Sequence, residues 1–141
     1  MRPHLEEAWR LLRLAERDIK AFEVLKEAPD VHPSITYFHA QQAVEKSLKA
    51  VLFLQQIEFE RTHDLVKLAR LLQNCGVTLP VTESQLRRLN PFAVAFRYDD
   101  LEITLVSDDD LASVVAQMRH WAKEQISAAT ECEESDGPDN H

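Results

Sequence analysis

Glycine is the residue whose scarcity most constrains this chain, because its 141 residues include only Gly76 and Gly137. Tight hairpins and phosphate-binding loops need residues that reach positive φ or allow close backbone approach, and glycine supplies both. Two glycines cannot supply the many turns of a β-rich domain, nor a GxGxxG or GxxxxGK[ST] loop. The sequence therefore predicts an all-α chain and excludes Rossmann and P-loop nucleotide sites.

Length and charge predict one mildly acidic domain followed by a tail. A chain of 16.2 kDa can bury a single core without a disulfide or a metal. The net charge is −8, but residues 130–141 contain five acids and no Lys or Arg, so residues 1–129 carry −3. We expect a helical domain over residues 1–129 without a strong overall field for nucleic acid. Residues 130–141 lack large apolar side chains and are expected to be a disordered tail that folding does not need.

Cysteine usage and hydropathy predict a cytoplasmic protein. Cys75 and Cys132 form no CxxC pattern, which indicates a reducing compartment. Acidic residues interrupt the N-terminal segment where a signal peptide would need an apolar run, and apolar runs such as residues 51–54 are far too short to span a membrane. We expect no cofactor and no metal site, since HExxH and paired Glu-x-x-His motifs do not occur.

Apolar residues at helical spacing predict an up-and-down four-helix bundle with one additional short helix. The predicted elements are helices over residues 3–27, about 33–57, 63–75 and about 107–129, and a helix after Thr82 that Asn90-Pro91 interrupts before a short piece to about Arg97. Pro33 is expected to open the second helix, and Thr62 to cap the third. Gly76 is a suitable residue to end the third helix.

A stripe of polar side chains on the second helix is the most unusual feature of the sequence. His39, Gln42 and Lys46 recur at spacings of three and four residues, and Lys49 continues the series on the same face. Such a stripe can offer an imidazole, an amide and ammonium groups to one anionic ligand. Glu45 and Lys49 also form an i,i+4 pair, so a solvated structural face is the alternative interpretation.

Two short motifs offer further charge to a phosphate. Residues 61–64, Arg-Thr-His-Asp, precede the third helix, whose free N–H groups and dipole favour an anion. Arg97, followed by Tyr98, can bind either a phosphate or a carboxylate through two hydrogen bonds. A plain helix cap at the first motif and a structural ion pair at the second are the alternatives.

The first helix carries a row of cations that we call the basic ridge. Its members recur at three and four residues, and they are Arg10, Arg13, Arg17 and Lys20. Such a ridge can follow a nucleic-acid backbone. Glu6 and Glu16 lie near enough to neutralise part of it, so a solvated face is the alternative.

Three segments of the chain resemble the signature of prokaryotic HEPN domains. They read YFHAQQAVEKSLKAVLFLQ, RTHDLVKLARLL and AVAFRYDD, and their order and spacing match over about residues 5–127. The resemblance implies a compact helical bundle that usually forms a homodimer and, in many members, acts with a minimal nucleotidyltransferase in a two-gene toxin–antitoxin module. It also implies binding of a nucleotide or RNA by residues at His39, Gln42, Lys46, His63, Asp64, Arg97 and Tyr98.

One motif of the family is missing. Many HEPN domains are metal-independent RNases that use an Arg followed, after four to six residues, by a His, and this chain contains no such pair. The sequence therefore favours a binding component of a HEPN and nucleotidyltransferase module. Two alternatives stay open. One is an RNase with a rearranged site, in which His39 or His63 is the general base and Arg97 stabilises charge. The other is a dimeric interaction scaffold in which these side chains only hold the bundle together.

Apolar side chains outside the main helical stripes predict self-association. A body of this size has more of them than one small core needs, and they are Trp9, Leu11, Leu14, Phe53 and Phe59. We expect a symmetric homodimer, the commonest closed assembly.

Overall fold

The computed structural model describes residues 2–93 and 108–135, and all the regular secondary structure in these ranges is helical. The elements are α1 (Pro3–Leu25), α2 (Pro33–Leu54), α3 (Leu65–Asn74), α4 (Glu83–Leu89), a 3₁₀ turn (Asn90–Ala93) and α5 (Asp108–Ser135). The all-α bundle with an additional short helix is thereby confirmed for the described residues. None of the helices in these ranges combines the length and the apolar character that a membrane crossing requires.

The second helix, α2, lies at the centre of the bundle, because it contacts every other helix and the 3₁₀ turn. Its contact with α1 is the most extensive, and α5 packs against both of them. Fourteen of its 22 residues are buried. A helix enclosed on so many sides also buries polar side chains, and this brings part of the polar stripe into the bundle.

Several helix ends follow the expected signals. Pro33 opens α2, and the side chains of Thr82 and Gln85 form the capping box of α4. Gly76 follows α3 with a φ of 85°, a left-handed value that glycine tolerates. The 3₁₀ turn lies where Asn90-Pro91 was expected to interrupt the fourth helix. The predicted continuation to about Arg97 lies outside the described residues.

The first turn of α3 differs from the prediction. Asp64, rather than Thr62, caps this helix, and its side chain accepts hydrogen bonds from the backbone N–H groups of Val66 and Lys67. The Thr62 hydroxyl accepts one from the N–H of Asp64. Asp is the stronger N-cap of the two residue types, so α3 begins two residues later than expected.

The last helix, α5, ends later than the sequence predicts. The helix continues to Ser135, six residues beyond the predicted end at 129. The Thr130 hydroxyl accepts a hydrogen bond from the indole N–H of Trp9 at 3.0 Å, and a carboxylate oxygen of Glu133 accepts one from the backbone N–H of Arg2. Apolar content alone did not predict these polar contacts with the start of α1. The remainder of the expected tail, residues 136–141, lies outside the described residues.

Candidate functional site

A buried carboxylate on α1 receives two side chains of the polar stripe. Asp18 lies on the core side of α1, and its side chain is only 12% exposed. Its Oδ1 accepts a hydrogen bond from Nδ1 of His39 at 2.9 Å, and its Oδ2 is paired with the ammonium group of Lys46. His39 and Lys46 therefore share one face of α2, as predicted, and this face joins α2 to α1. We call these three residues the Asp18 cluster.

A second buried carboxylate, on α2 itself, organises another group of polar side chains. The Glu45 side chain is 5% exposed. Its Oε1 accepts hydrogen bonds from Nδ1 of His63 at 2.8 Å and from Nε2 of Gln41 at 3.0 Å. Its Oε2 accepts one from Nζ of Lys49 at 3.1 Å. This Glu45 cluster repeats the arrangement around Asp18, in which one carboxylate holds an imidazole and an ammonium group.

Two amide side chains extend the Glu45 cluster along α2. Gln42 donates a hydrogen bond from Nε2 to Oε1 of Gln41 at 2.8 Å. Gln41 is fully buried and also approaches the backbone carbonyl of His63 at 3.3 Å. The predicted candidate Gln42 thus belongs to the group around Glu45, and a buried amide connects it to the segment before α3.

The candidates differ in their access to solvent. The side chains of His39 and Lys46 are about one quarter exposed, whereas that of His63 is 61% exposed. Because Glu45 holds the ring of His63 through Nδ1, the opposite nitrogen, Nε2, is directed away from the carboxylate. Among the described residues, none forms a hydrogen bond to that nitrogen. His63 is therefore the candidate best placed to bind an external phosphate or to exchange a proton.

Asp64 has a capping contact in this structure. Besides the cap of α3, its Oδ1 accepts a hydrogen bond from Nδ2 of Asn90 at 3.0 Å, and Oδ1 of Asn90 accepts one from the backbone N–H of Leu65 at 2.9 Å. The first N–H groups of α3 are therefore occupied by side chains. This corrects the expectation that these N–H groups are free to bind a phosphate. The sequence could not show the contact with Asn90, because Asn90 is distant in the chain and its position depends on the packing of the helices.

The remaining candidates, Arg97 and Tyr98, lie outside the described residues. In residues 2–93 and 108–135 there is no group of three or more His, Cys, Asp or Glu side chains suited to a metal ion.

Sequence reasoning missed Asp18, although the sequence carried a signal for it. Asp18 lies three residues after Ala15 and four before Phe22, on the apolar stripe of α1. An acid at a core position requires partners, because an unpaired buried charge is costly. Cations on the neighbouring helix were therefore the side chains to consider as its partners.

One comparison with known proteins shows the family of this chain, and another shows its fold. The family model of the HEPN domain matches residues 8–129. The fold also resembles the crystal structure of an archaeal HEPN homologue, with a TM-score of 0.57 and 22% sequence identity, over 84% of this chain and 97% of that one. At this identity the likeness to the archaeal structure shows the fold alone. Among curated proteins, none matches this sequence.

Proposed function

The chain belongs to the HEPN domain family, and we propose that it is the nucleotide- or RNA-binding component of a two-gene toxin–antitoxin module. The proposed partner is a minimal nucleotidyltransferase, and the proposed working form is a homodimer. Both follow from the resemblance of the sequence to HEPN domains that act in such modules. The proposed location is the cytoplasm, in keeping with the two unpatterned cysteines.

The observation that carries binding is the anchored imidazole of His63. Its ring is fixed at Nδ1 by a buried carboxylate and is 61% exposed. A side chain that is already held in place loses little conformational freedom when a ligand binds. His39, Gln42, Lys46, Asp64, Arg97 and Tyr98 complete the proposed set of ligand contacts. The pairing of His39 and Lys46 with Asp18 makes them secondary to His63 in this proposal.

Calorimetric titration with ATP and with a short single-stranded RNA tests the binding function. We expect the wild-type protein to bind at least one of them, and His63→Ala to weaken binding roughly tenfold, the effect of a lost charge-assisted hydrogen bond. His120→Ala is the matched control, since His120 is also exposed and also paired with a carboxylate, that of Glu124. Absence of binding by the wild-type protein would contradict the proposal.

The partner is tested separately. A nucleotidyltransferase encoded beside this gene is co-expressed with the chain, and we expect the two proteins to purify together. The lack of such a neighbouring gene, or separate elution of the two chains, would contradict the proposed two-gene module. Neither result bears on ligand binding, which the calorimetric titration tests.

The pairing of Glu45 with His63 also favours a second candidate function, metal-independent RNA cleavage. A carboxylate bound at Nδ1 orients an imidazole for general base catalysis at Nε2. In this reaction Nε2 removes the proton of a ribose 2′-hydroxyl, whose oxygen attacks phosphorus and expels the 5′-oxygen, which takes a proton from water. Arg97 is the proposed stabiliser of the developing charge.

Incubation of RNA with the protein in the presence of a metal chelator tests cleavage. We expect His63→Gln to abolish it and His120→Gln to leave it unchanged. An RNA that stays intact with the wild-type protein would exclude this second function.

A further inference from the structure

A groove of about 760 Å³ lies beside the Glu45 cluster. The start of α1, the end of α2 and the α2–α3 connection, residues 55–64, form its walls. Its volume is in the range of pockets that bind small organic ligands. None of the seven residues implied by the family resemblance lines this groove, but three cations that the sequence patterns singled out do, namely Arg10, Lys49 and Arg61. Lys49, which does line it, shares the carboxylate of Glu45 with His63.

Aromatic rings line one side of the groove. Phe53, at the end of α2, is 38% exposed and packs edge-on against Phe59 of the α2–α3 connection. The centroids of the two rings are 5.5 Å apart, and the ring planes meet at 89°. An aromatic pair with one exposed ring in a concave site offers π surface to a planar ligand.

Cations lie beside these rings. The ammonium group of Lys49 is 6.0 Å from the centroid of the Phe59 ring. Arg61 is exposed and lines the same groove, and no described residue pairs with it. This combination of aromatic and cationic side chains stands out in a chain with a net charge of −8.

Acidic side chains pair with two of the three cations that line the groove, Arg10 and Lys49, and leave Arg61 without a partner among the described residues. Glu7 binds Nε and Nη2 of Arg10 at 2.9 and 2.5 Å, and these contacts with Arg10 lower the pKa of the Glu7 carboxyl. The charges of Glu7 and Arg10 therefore neutralise each other. Glu58 is the other acid of the lining, and it is exposed to solvent, which screens its charge.

We propose that this groove binds a nucleoside phosphate, either free or as a residue of single-stranded RNA. This inference rests on the proposed binding function and adds the neighbouring groove to the ligand contact proposed at His63. The base stacks on the exposed ring of Phe53 and lies perpendicular to the ring of Phe59. The phosphate contacts Arg61 on the side of the groove nearer His63. Stacking on aromatic rings beside basic side chains is the usual way in which single-stranded nucleic acid is bound, and it requires no particular base.

Binding measurements on four single variants test the location. The groove variants are Phe53→Ala and Arg61→Ala, both at exposed positions where the fold is expected to be retained. Arg88→Ala is the matched control, an exposed arginine on α4, and Arg13→Ala tests the basic ridge. Each is titrated with adenosine 5′-monophosphate and with a 5′-phosphorylated hexamer of RNA. We expect each groove variant to raise the Kd roughly tenfold, as loss of one stacked base or one phosphate contact does, and the other two to match the wild type.

The outcomes separate this inference from the proposed function. Loss of affinity for both ligands supports a site for free nucleotide and RNA alike, and loss for the hexamer alone supports a site for RNA. Wild-type affinity in both groove variants overturns the location while binding itself stands. Absence of binding by the wild-type protein overturns both proposals. A groove variant that changes from dimer to monomer and keeps its affinity shows that the groove is a subunit contact, which also overturns the inference.

Discussion

Asp18 shows how one buried acid sets the roles of side chains on another helix. Asp18→Asn keeps the size of the side chain but leaves the half-buried ammonium group of Lys46 without its counter-charge. We expect the free energy of unfolding to fall by roughly 2–3 kcal/mol, because a buried partner is lost. Chemical denaturation measures this change.

The control for this variant is Glu16→Gln on the same helix. Glu16 pairs with Arg119, but both side chains are more than one third exposed. We expect a loss below about 1 kcal/mol, since solvent screens the pair. Equal losses in the two variants would contradict a special role for Asp18.

Tyr37 gives a pH-dependent prediction. Its hydroxyl donates a hydrogen bond to Oδ1 of Asp108 at 2.8 Å, and burial together with this bond raises the pKa of Tyr37 to about 12. The unfolded chain loses the same proton near its ordinary pKa of about 10. The contribution of Tyr37 to stability is therefore complete below about pH 10 and is lost as the pH rises towards about 12.

The variant Tyr37→Phe isolates this effect. We expect it to cost about 1 kcal/mol at neutral pH, the value of a hydrogen bond, and to reduce the fall in stability above about pH 10. Thermal melts of the wild type and the variant across this pH interval measure the effect as the difference between the two proteins. Lysines and the other tyrosine titrate in both proteins, so their contributions cancel in that difference. An identical pH dependence would contradict the assignment.

At the residue scale, the sequence predicted which side chains lie on one side of a helix, but not which side chains of other helices they contact. The spacing of His39 and Lys46 placed both on one side of α2, as the structure shows. Their partner Asp18 lies on another helix, and the packing of α1 on α2 decides whether the three meet. Helical periodicity carries no information on that relative position.

At the scale of elements, the contacts of α5 give a third prediction. Truncation after Ala129 removes Thr130, which accepts the indole hydrogen bond of Trp9. We expect a fall in Tm of roughly 3–5 °C, which corresponds to about 1 kcal/mol in a chain of this size. Truncation after Ser135 is the control and should leave the Tm unchanged. Equal melting temperatures would show that residues 130–135 do not stabilise the bundle, as the sequence alone suggested.

Helix ends were predictable where their signals are local. The capping box of Thr82 and Gln85 lies within four residues, and both of its hydrogen bonds are present. The cap of α3 was misplaced by two residues, because Asp64 is a stronger N-cap than Thr62. Asn90 at the far end of α4 also contacts Asp64, and this contact is not visible in the local sequence. Sequence patterns therefore predicted the number and order of the described helices better than their ends.

At the scale of the whole molecule, we predict a homodimer. Five apolar side chains outside the main helical stripes led us to expect a dimer. One of them, Leu11, lies in the core of the bundle and is not available for a subunit contact. Phe53 stays exposed, and Trp9, Leu14 and Phe59 are half-buried. Light scattering at micromolar concentration should give about 32 kDa, twice the chain mass of 16.2 kDa. A particle with the mass of one chain would contradict the prediction.

The central claim is that this HEPN bundle presents a nucleotide-binding surface at the α2–α3 connection, while the Asp18 cluster holds α1 against α2. Nuclear magnetic resonance of ¹⁵N-labelled protein, titrated with the 5′-phosphorylated RNA hexamer, tests it most directly. We predict that the largest shifts occur at the backbone amides of residues 57–63 and at the ring nitrogens of His63. Shifts confined to the basic ridge, or an unchanged spectrum, would contradict the claim.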